Sequence, residues 1–394
     1  MVQVEMFPAN EGDCFLVTLI KQDYRILIDG GTSQTYKNFL RSRLLELSRQ
    51  EKKIDLLIVT HIDNDHIGGI ISLFKENGSF EEAKIIRVEE VWHNSYRHLQ
   101  IPKDNIVGFR EKEILGSILS NMSSLDNVHM QGNKQEISAL QGTTLAGLLY
   151  KGGYRWNCLY NEKAINCEFK SDIYIGDNCY IKVLSPNVES LNKLMVDWKV
   201  ELMKSKIDFQ FSDDAIFDDA YEYYLRYLNE INCIEEEVSN SIEEVVSIDN
   251  LIKVNNRSDK KPTNNSSITF QLNCDDKRLL FLGDINIEKI NYDQLVEKFD
   301  LIKMPHHAST NNIDYYFLRN FKSRHYLIST DGRKHNHPDI DVIAKIMASG
   351  MEEKNLYFNY FHEKLEIFNN REMKEKYHCK FHYPQEAKTI IVNI

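Results

Sequence analysis

Val2, Val4 and Met6 alternate with Gln3 and Glu5, and Phe15, Val17 and Leu19 repeat the same two-residue period. That is the period of half-buried strands, so the chain is expected to open with two of them. Gly12-Asp13 and Asp29-Gly30-Gly31 punctuate this region as tight turns. Residues 35–50 place Phe39, Leu44, Leu45 and Leu47 on one side, which predicts a helix. The run IDLLIVT (54–60) is short and continuously apolar, as expected of a strand buried on both faces. It ends at Thr60, so His61 emerges at the strand tip. Asp65 is expected to open the next helix, with Gly68 and Gly69 permitting close packing near its start.

The second half reads similarly. Strands are predicted within 268–273, 277–284, 300–307, 324–330, 355–360 and 389–394. Between 93 and 260 the pattern is less regular. Helical patches and polar turns mix over 105–147, strands are expected at 172–176 and 180–184, and Leu, Tyr and Ile at helical spacing from 187 to 252 suggest a helical insertion. The polar, proline-containing stretch 255–267 reads as a connector.

A length of 394 residues implies one large domain with insertions, or two domains, and a hydrophobic content of 42% is ample for a core. The absence of any apolar run of about 18 residues argues against a membrane-spanning helix. The first residues read as a strand and not as a signal peptide. Seven scattered cysteines without a CxxC pair suggest free thiols in a reducing cytoplasm, and argue against a zinc ribbon. The net charge of −11 resides in residues 208–244, where twelve acids face Arg226 alone. The rest of the chain is neutral, so charge neither excludes nor favours nucleic acid. The acidic run reads as a solvated helical face; as a functional feature it would repel phosphodiester backbones or recruit a basic protein partner.

The densest chemistry is THIDNDHIGG (60–69), with His61, Asp63, Asp65 and His66 inside six positions. Histidine and aspartate ligate zinc, and carboxylate-rich sites also suit manganese. The competing reading is an Asx-type turn in which Asp63 or Asp65 caps the helix. Asp284 at the end of LLFLGD (279–284) stands at a second strand tip, and a carboxylate there can serve two cations at once.

His61-x-Asp63-x-Asp65-His66-x-Gly68-Gly69 resembles the metal-binding signature of the metallo-β-lactamase superfamily. The aspartate at its third position is similar to the subgroup typified by the hydrolase domain of ComEC/Rec2 DNA-uptake proteins. EGDCFLV (11–17), ILIDGG (26–31), NNSSITFQL (264–272), LLFLGD (279–284), KMPHHAS (303–309) and HNHP (335–338) resemble further stations in the right order. The resemblance implies an αββα sandwich whose two halves, 1–95 and 261–394, flank an acidic, mainly helical insertion or cap at 96–260. It implies two divalent cations, zinc or manganese, held by His61, Asp63, Asp65, His66, Asp284 and His307. His307 follows from the His-x-Ser pattern, with the exchange of His306 and His307 left open. Where many members carry a third histidine for the first cation, this chain has Asn264, Asn265 and Ser266. Asp13 and Asp29 are read as fixing turns or supporting ligands.

Two cations about 3.5–4 Å apart bring a shared water's pKa toward about 7. Asp65 would then orient the water, His306 would stack or contact substrate, and Lys303 or His337 would hold a phosphoryl oxygen or assist the leaving group. The implied activity is a phosphodiesterase or nuclease acting on DNA, RNA or a nucleotide. Alternatives are an ester, thioester or lactone hydrolase, and a non-catalytic component of a larger assembly.

Overall fold

A computed structural model describes residues 1–98, 115, 144–169, 172–204, 217–222, 247–254, 258–350, 352–368, 370–385 and 388–394. The alternating N-terminal segments form β1 (Val2–Met6), β2 (Phe15–Leu19) and β3 (Tyr24–Ile28). Helix α1 (Arg41–Arg49) follows, then β4 (Leu56–Ile58), α2 (Asn64–Asn77) and β5 (Val91–Trp92). With β14 (Ile390–Asn393) these make a six-stranded sheet in the order β14-β1-β2-β3-β4-β5. The hairpins are antiparallel, while β3, β4 and β5 run parallel.

The second sheet contains β6 (Asp172–Gly176), β7 (Cys179–Ser185), β8 (Thr269–Cys274), β9 (Lys277–Phe281), β10 (Lys298–Lys303), β11 (Lys322–Ile328), β12 (Lys354–Phe358) and β13 (Cys379–His382). Its order is the reverse of the chain order, β13 through β6, with β9 to β13 parallel. The predicted strands of the second half are all present. The short β5 and β13 were not legible as strands, having two and four residues.

Alternation explains the layering. Val4, Val17, Ile26 and Ile58 face Phe270, Leu272, Leu279 and Leu301 across an apolar layer between the sheets. The opposite face of the first sheet, with Leu16, Leu27 and Leu57, packs on Leu44, Ile67, Ile70 and Phe74 of α1 and α2. Leu280, Ile302 and Tyr326 on the outer face of the second sheet pack on Val342, Ile343 and Ile346 of α3 (Ile340–Ala348). Each such aliphatic side chain contributes roughly 1.5–3 kcal/mol on burial. This is the αββα sandwich of the metallo-β-lactamase fold.

Three expectations change. β6 and β7 lie inside the expected 96–260 insertion yet pair with β8, so that boundary cuts through the sheet. Cys179 and Cys274 are cross-strand partners with Cα atoms 4.1 Å apart and form a disulfide, correcting the expectation of free thiols throughout. The strand register brings together cysteines that are 95 residues apart in sequence. The thiol argument for a reducing cytoplasm loses its basis. Finally, the acidic run is not a uniformly solvated face. Asp218, Asp219 and Glu222 are buried, and they accept hydrogen bonds from Ser95, Thr144 and the Leu145 backbone N–H, respectively. Its other acids, and most of 105–147, lie outside the described residues, as does Cys233. Among the described residues no helix is long and apolar enough to cross a membrane.

Candidate metal centre

Parallel strands deliver their C-terminal ends to one edge, where open α/β sheets place ligands. β4 leads into Thr60 and His61, β9 into Gly283 and Asp284, β10 into Pro305–Ala308, and β11 into Ser329. The two halves are joined where Ile268 N–H donates to Thr60 O at 2.8 Å. His306, His307 and Ala308 all adopt left-handed backbone conformations, with φ of 43°, 57° and 65°. Three such non-glycine residues in a row store strain that surrounding contacts must hold, and the turn aims both imidazoles at Asp284. Gly12 is required by proximity: a Cβ there would lie 1.7 Å from Asp65 O.

Hydrogen bonds fix which nitrogen each histidine presents. His307 Nδ1 lies 2.7 Å from Ser329 O, a carbonyl that can only accept, so Nδ1 carries the proton. His66 Nδ1 donates to Asp29 Oδ2 at 2.9 Å. Thr60 Oγ1 donates its proton to Asp29 Oδ2 at 2.7 Å and so accepts from His61 Nδ1 at 3.0 Å. All three rings therefore turn an Nε2 lone pair inward, and all three Nε2 atoms are buried without a hydrogen-bond partner. Such orientation by an outer partner is typical of metal-binding histidines.

The inward nitrogens meet carboxylates. Asp284 Oδ2 lies 3.8 Å from His61 Nε2, 3.4 Å from His66 Nε2 and 3.4 Å from His307 Nε2. Asp65 Oδ2 is 3.8 Å from His66 Nε2 and 3.6 Å from His307 Nε2. Asp63 occupies the position before α2, but its carboxylate does not cap the helix and stands 3.7 Å from His61 Nε2. Among the described residues four overlapping groups have ligand atoms within 4.8 Å of one another, and two of them, His61–His66–Asp284 and Asp65–His66–His307, consist of sequence-predicted ligands alone.

Charge supports the same assignment. Asp13, Asp29, Asp63, Asp65 and Asp284 surround the cluster, while the buried Lys303 ammonium pairs with Asp13 and lies 3.6 Å from Asp284 Oδ1. With the histidine rings neutral, as cation binding requires, five carboxylates against one ammonium leave four negative charges, which two divalent cations cancel. With no cation bound, burial opposes charge on His66 and His307, yet Asp284 raises both well above the ordinary histidine value, so each ring holds at Nε2 a proton that a cation would displace. Burial likewise opposes ionisation of Asp284, but His66 and His307 hold it well below the carboxylate range. Orphaned lone pairs, mixed N/O donors and uncompensated negative charge fit a pair of divalent cations.

Residues 8–116 match the family described as the Metallo-beta-lactamase superfamily. The match is confined to this N-terminal part, and the fold of the whole is the metallo-beta-lactamase fold. No curated protein matches it. Solved structures similar to it include the metallo-beta-lactamase fold protein YhfI from Bacillus subtilis, at 10% identity over 99% of both chains with TM-score 0.39. Another is Zn(2+)-bound PqqB from Methylobacterium extorquens, at 7% identity over 100% of both chains with TM-score 0.39. A mutant of the CmlA beta-hydroxylase matches at 9% identity over all of this chain and 54% of its own, with TM-score 0.38.

The cleft above the cluster is lined by Asp63, Asp65, Asp284, His306, His307 and His337, with Lys261, Asn264 and Lys334 among their neighbours. The sequence-predicted ligands His61 and His66 lie behind it, within reach of the same carboxylates. Lys303 departs from its expected place. It is buried beneath the cleft, donates to Gly283 O at 3.0 Å and pairs with Asp13. Thr60, Ser267, Ser329 and Asp259 were not anticipated, because what they do depends on contacts made across the fold. Asn264 was noted only for not being a histidine, and its Oδ1 is buried without a partner.

Proposed function

We propose that this chain is a two-cation hydrolase that cleaves phosphodiesters, with nucleic acid or a nucleotide as substrate. The observation that carries the reading is the convergence of three buried, unpartnered histidine Nε2 atoms on Asp65 and Asp284 at the floor of a cleft. When bound, two cations supply an activated water at neutral pH and charge stabilisation for the phosphoryl oxygens.

The chain's residues divide the remaining work. Asp65 Oδ2, at the cleft wall and 3.6 Å from His307 Nε2, orients the attacking water. Lys261 and Lys334 line the same cleft and attract an anionic substrate. His306 and His337, with ring centroids 5.7 Å apart, offer donors to non-bridging or leaving oxygens. Lys303 is reassigned: its ammonium offsets Asp13 and Asp284 and fixes their positions, and touches no substrate. The order of motif stations supports kinship with the ComEC/Rec2 hydrolase domain and makes DNA the first substrate to test.

Zinc- and manganese-loaded protein is to be incubated with single- and double-stranded DNA, RNA, cyclic nucleotides and carboxylic esters. Turnover of a phosphodiester faster than of any ester is expected. Failure to cleave every phosphodiester with both metals refutes the proposal.

A further inference from the structure

Asn264 sits between two of the histidines that converge on Asp284. It belongs to the helical turn Pro262–Asn265, and Ser267 N–H donates to its carbonyl at 3.0 Å. Ser267 Oγ in turn lies 3.3 Å from His61 Nδ1 and accepts from Asp284 N–H at 3.3 Å, so this turn is seated against the His61–Asp284 side of the cluster. On its other flank Asn264 Nδ2 donates to Asp259 Oδ2 at 2.8 Å, and that same oxygen lies 3.5 Å from His306 Nδ1. With Nδ2 committed to Asp259, the free end of the amide is Oδ1. The side chain is buried, lines the cleft beside Asp63 and Asp284, and leaves Oδ1 without a hydrogen-bond partner. A buried amide oxygen that makes no bond has lost its water without compensation. Burying one at the edge of a cluster of unpartnered nitrogens and carboxylates is explained if it has a partner there that is cationic.

We propose that Asn264 supplies an amide-oxygen ligand to the cation on the His61 side, making that half of the centre oxygen-rich. This rests on the two-cation reading above. His61 Nε2, Asp63, Asp284 and Asn264 then provide one nitrogen and three oxygens. The other half has His66 Nε2, His307 Nε2 and Asp65, with Asp284 shared. Nitrogen ligands favour zinc over manganese more strongly than carboxylate and carbonyl ligands do. The two halves therefore differ in selectivity, with the His61 side the more permissive toward a hard cation such as manganese.

The test uses metal-free full-length protein titrated with manganese, zinc and mixtures of the two. Bound manganese is read by electron paramagnetic resonance and total metal by elemental analysis. For the wild type, two sites are expected whose zinc-to-manganese affinity ratios differ at least ~10-fold. Asn264→Ala should weaken manganese at one site at least ~10-fold, the lower end of what outer partners of ligands contribute, and leave the other site unchanged. Asn264→His, which replaces the oxygen with a nitrogen, should raise the zinc preference of that same site. Alanine and histidine variants that both keep wild-type affinities and selectivity overturn the proposal. If Asn264→Ala fails to fold, an unchanged selectivity in Asn264→His overturns it alone. A wild type that binds fewer than two cations refutes the two-cation reading instead, so the two failures are told apart by the wild-type stoichiometry.

Discussion

Asp29 touches no cation in the arrangement above, yet Asp29→Asn should empty the centre. Its Oδ1 accepts from Thr60 N–H at 2.8 Å, and its Oδ2 accepts from Thr60 Oγ1 at 2.7 Å and His66 Nδ1 at 2.9 Å. An asparagine must put its NH₂ on one side. The Thr60 backbone N–H cannot become an acceptor, so the NH₂ takes the place of Oδ2. His66 then has to present an Nδ1 lone pair to it, which moves the ring proton to Nε2 and removes the lone pair from the cluster. Thr60 Oγ1 now accepts from the introduced NH₂ and turns its own proton to His61 Nδ1, reversing that ring as well. One nearly isosteric change thus flips two tautomers. Loss of an outer partner costs about 10–100-fold in metal affinity, so two together predict about 10²–10⁴-fold. Competition with a chelator of known affinity measures this, and circular dichroism of the metal-free protein checks the fold. Affinity within threefold of wild type in a folded variant would refute the chain of donors and acceptors.

Asp284→Asn should lower metal occupancy and abolish hydrolysis with the fold retained; full activity at matched occupancy would make Asp284 a turn residue only. His307→Ala should remove a cation and all turnover, whereas His306→Ala should keep the Asp65–His66 side loaded and lose ~10–100-fold in rate; elemental analysis beside kinetics decides, and the reverse outcome exchanges the two roles. Asp219 is raised by burial to about 7, so folding stability falls as pH rises from about 4, where the unfolded carboxyl ionises, to about 7, and is level above. Asp219→Asn should therefore stabilise by about 1–3 kcal/mol at pH 8 and little at pH 4, and equal melting shifts at both would contradict the burial effect.

What could be read in advance follows from the range of the interactions. Strands announced themselves because a period of two is a local signal, and His61, Asp63, Asp65 and His66 because four ligand types fall within six positions. β6 and β7 were recognised as strands but not as members of the main sheet, since pairing with β8 is a long-range event. The same limit hid the disulfide: 95 residues separate two cysteines that the register makes neighbours. For Lys303 the sequence offered a lysine next to a histidine pair, a pattern that suits substrate contact. Only the packing shows its ammonium turned toward Asp13 and away from the cleft.

The outer partners carry the harder lesson about such centres. Thr60, Ser267 and Ser329 are ordinary turn-forming residue types, and nothing in their spacing marks them; of the outer partners only Asp29 was read in advance as fixing a turn or supporting a ligand. Yet a histidine binds a cation only through a deprotonated nitrogen, and which nitrogen that is depends on the other one's partner. In this fold the partner of each ring comes from a different loop: Thr60 for His61, Asp29 for His66 and Ser329 for His307. The ligand types are thus encoded locally, while their readiness to bind is set by the closing of both sheets. A cation bound there would hold residues from both halves of the chain, and should add stability in proportion to the logarithm of its affinity.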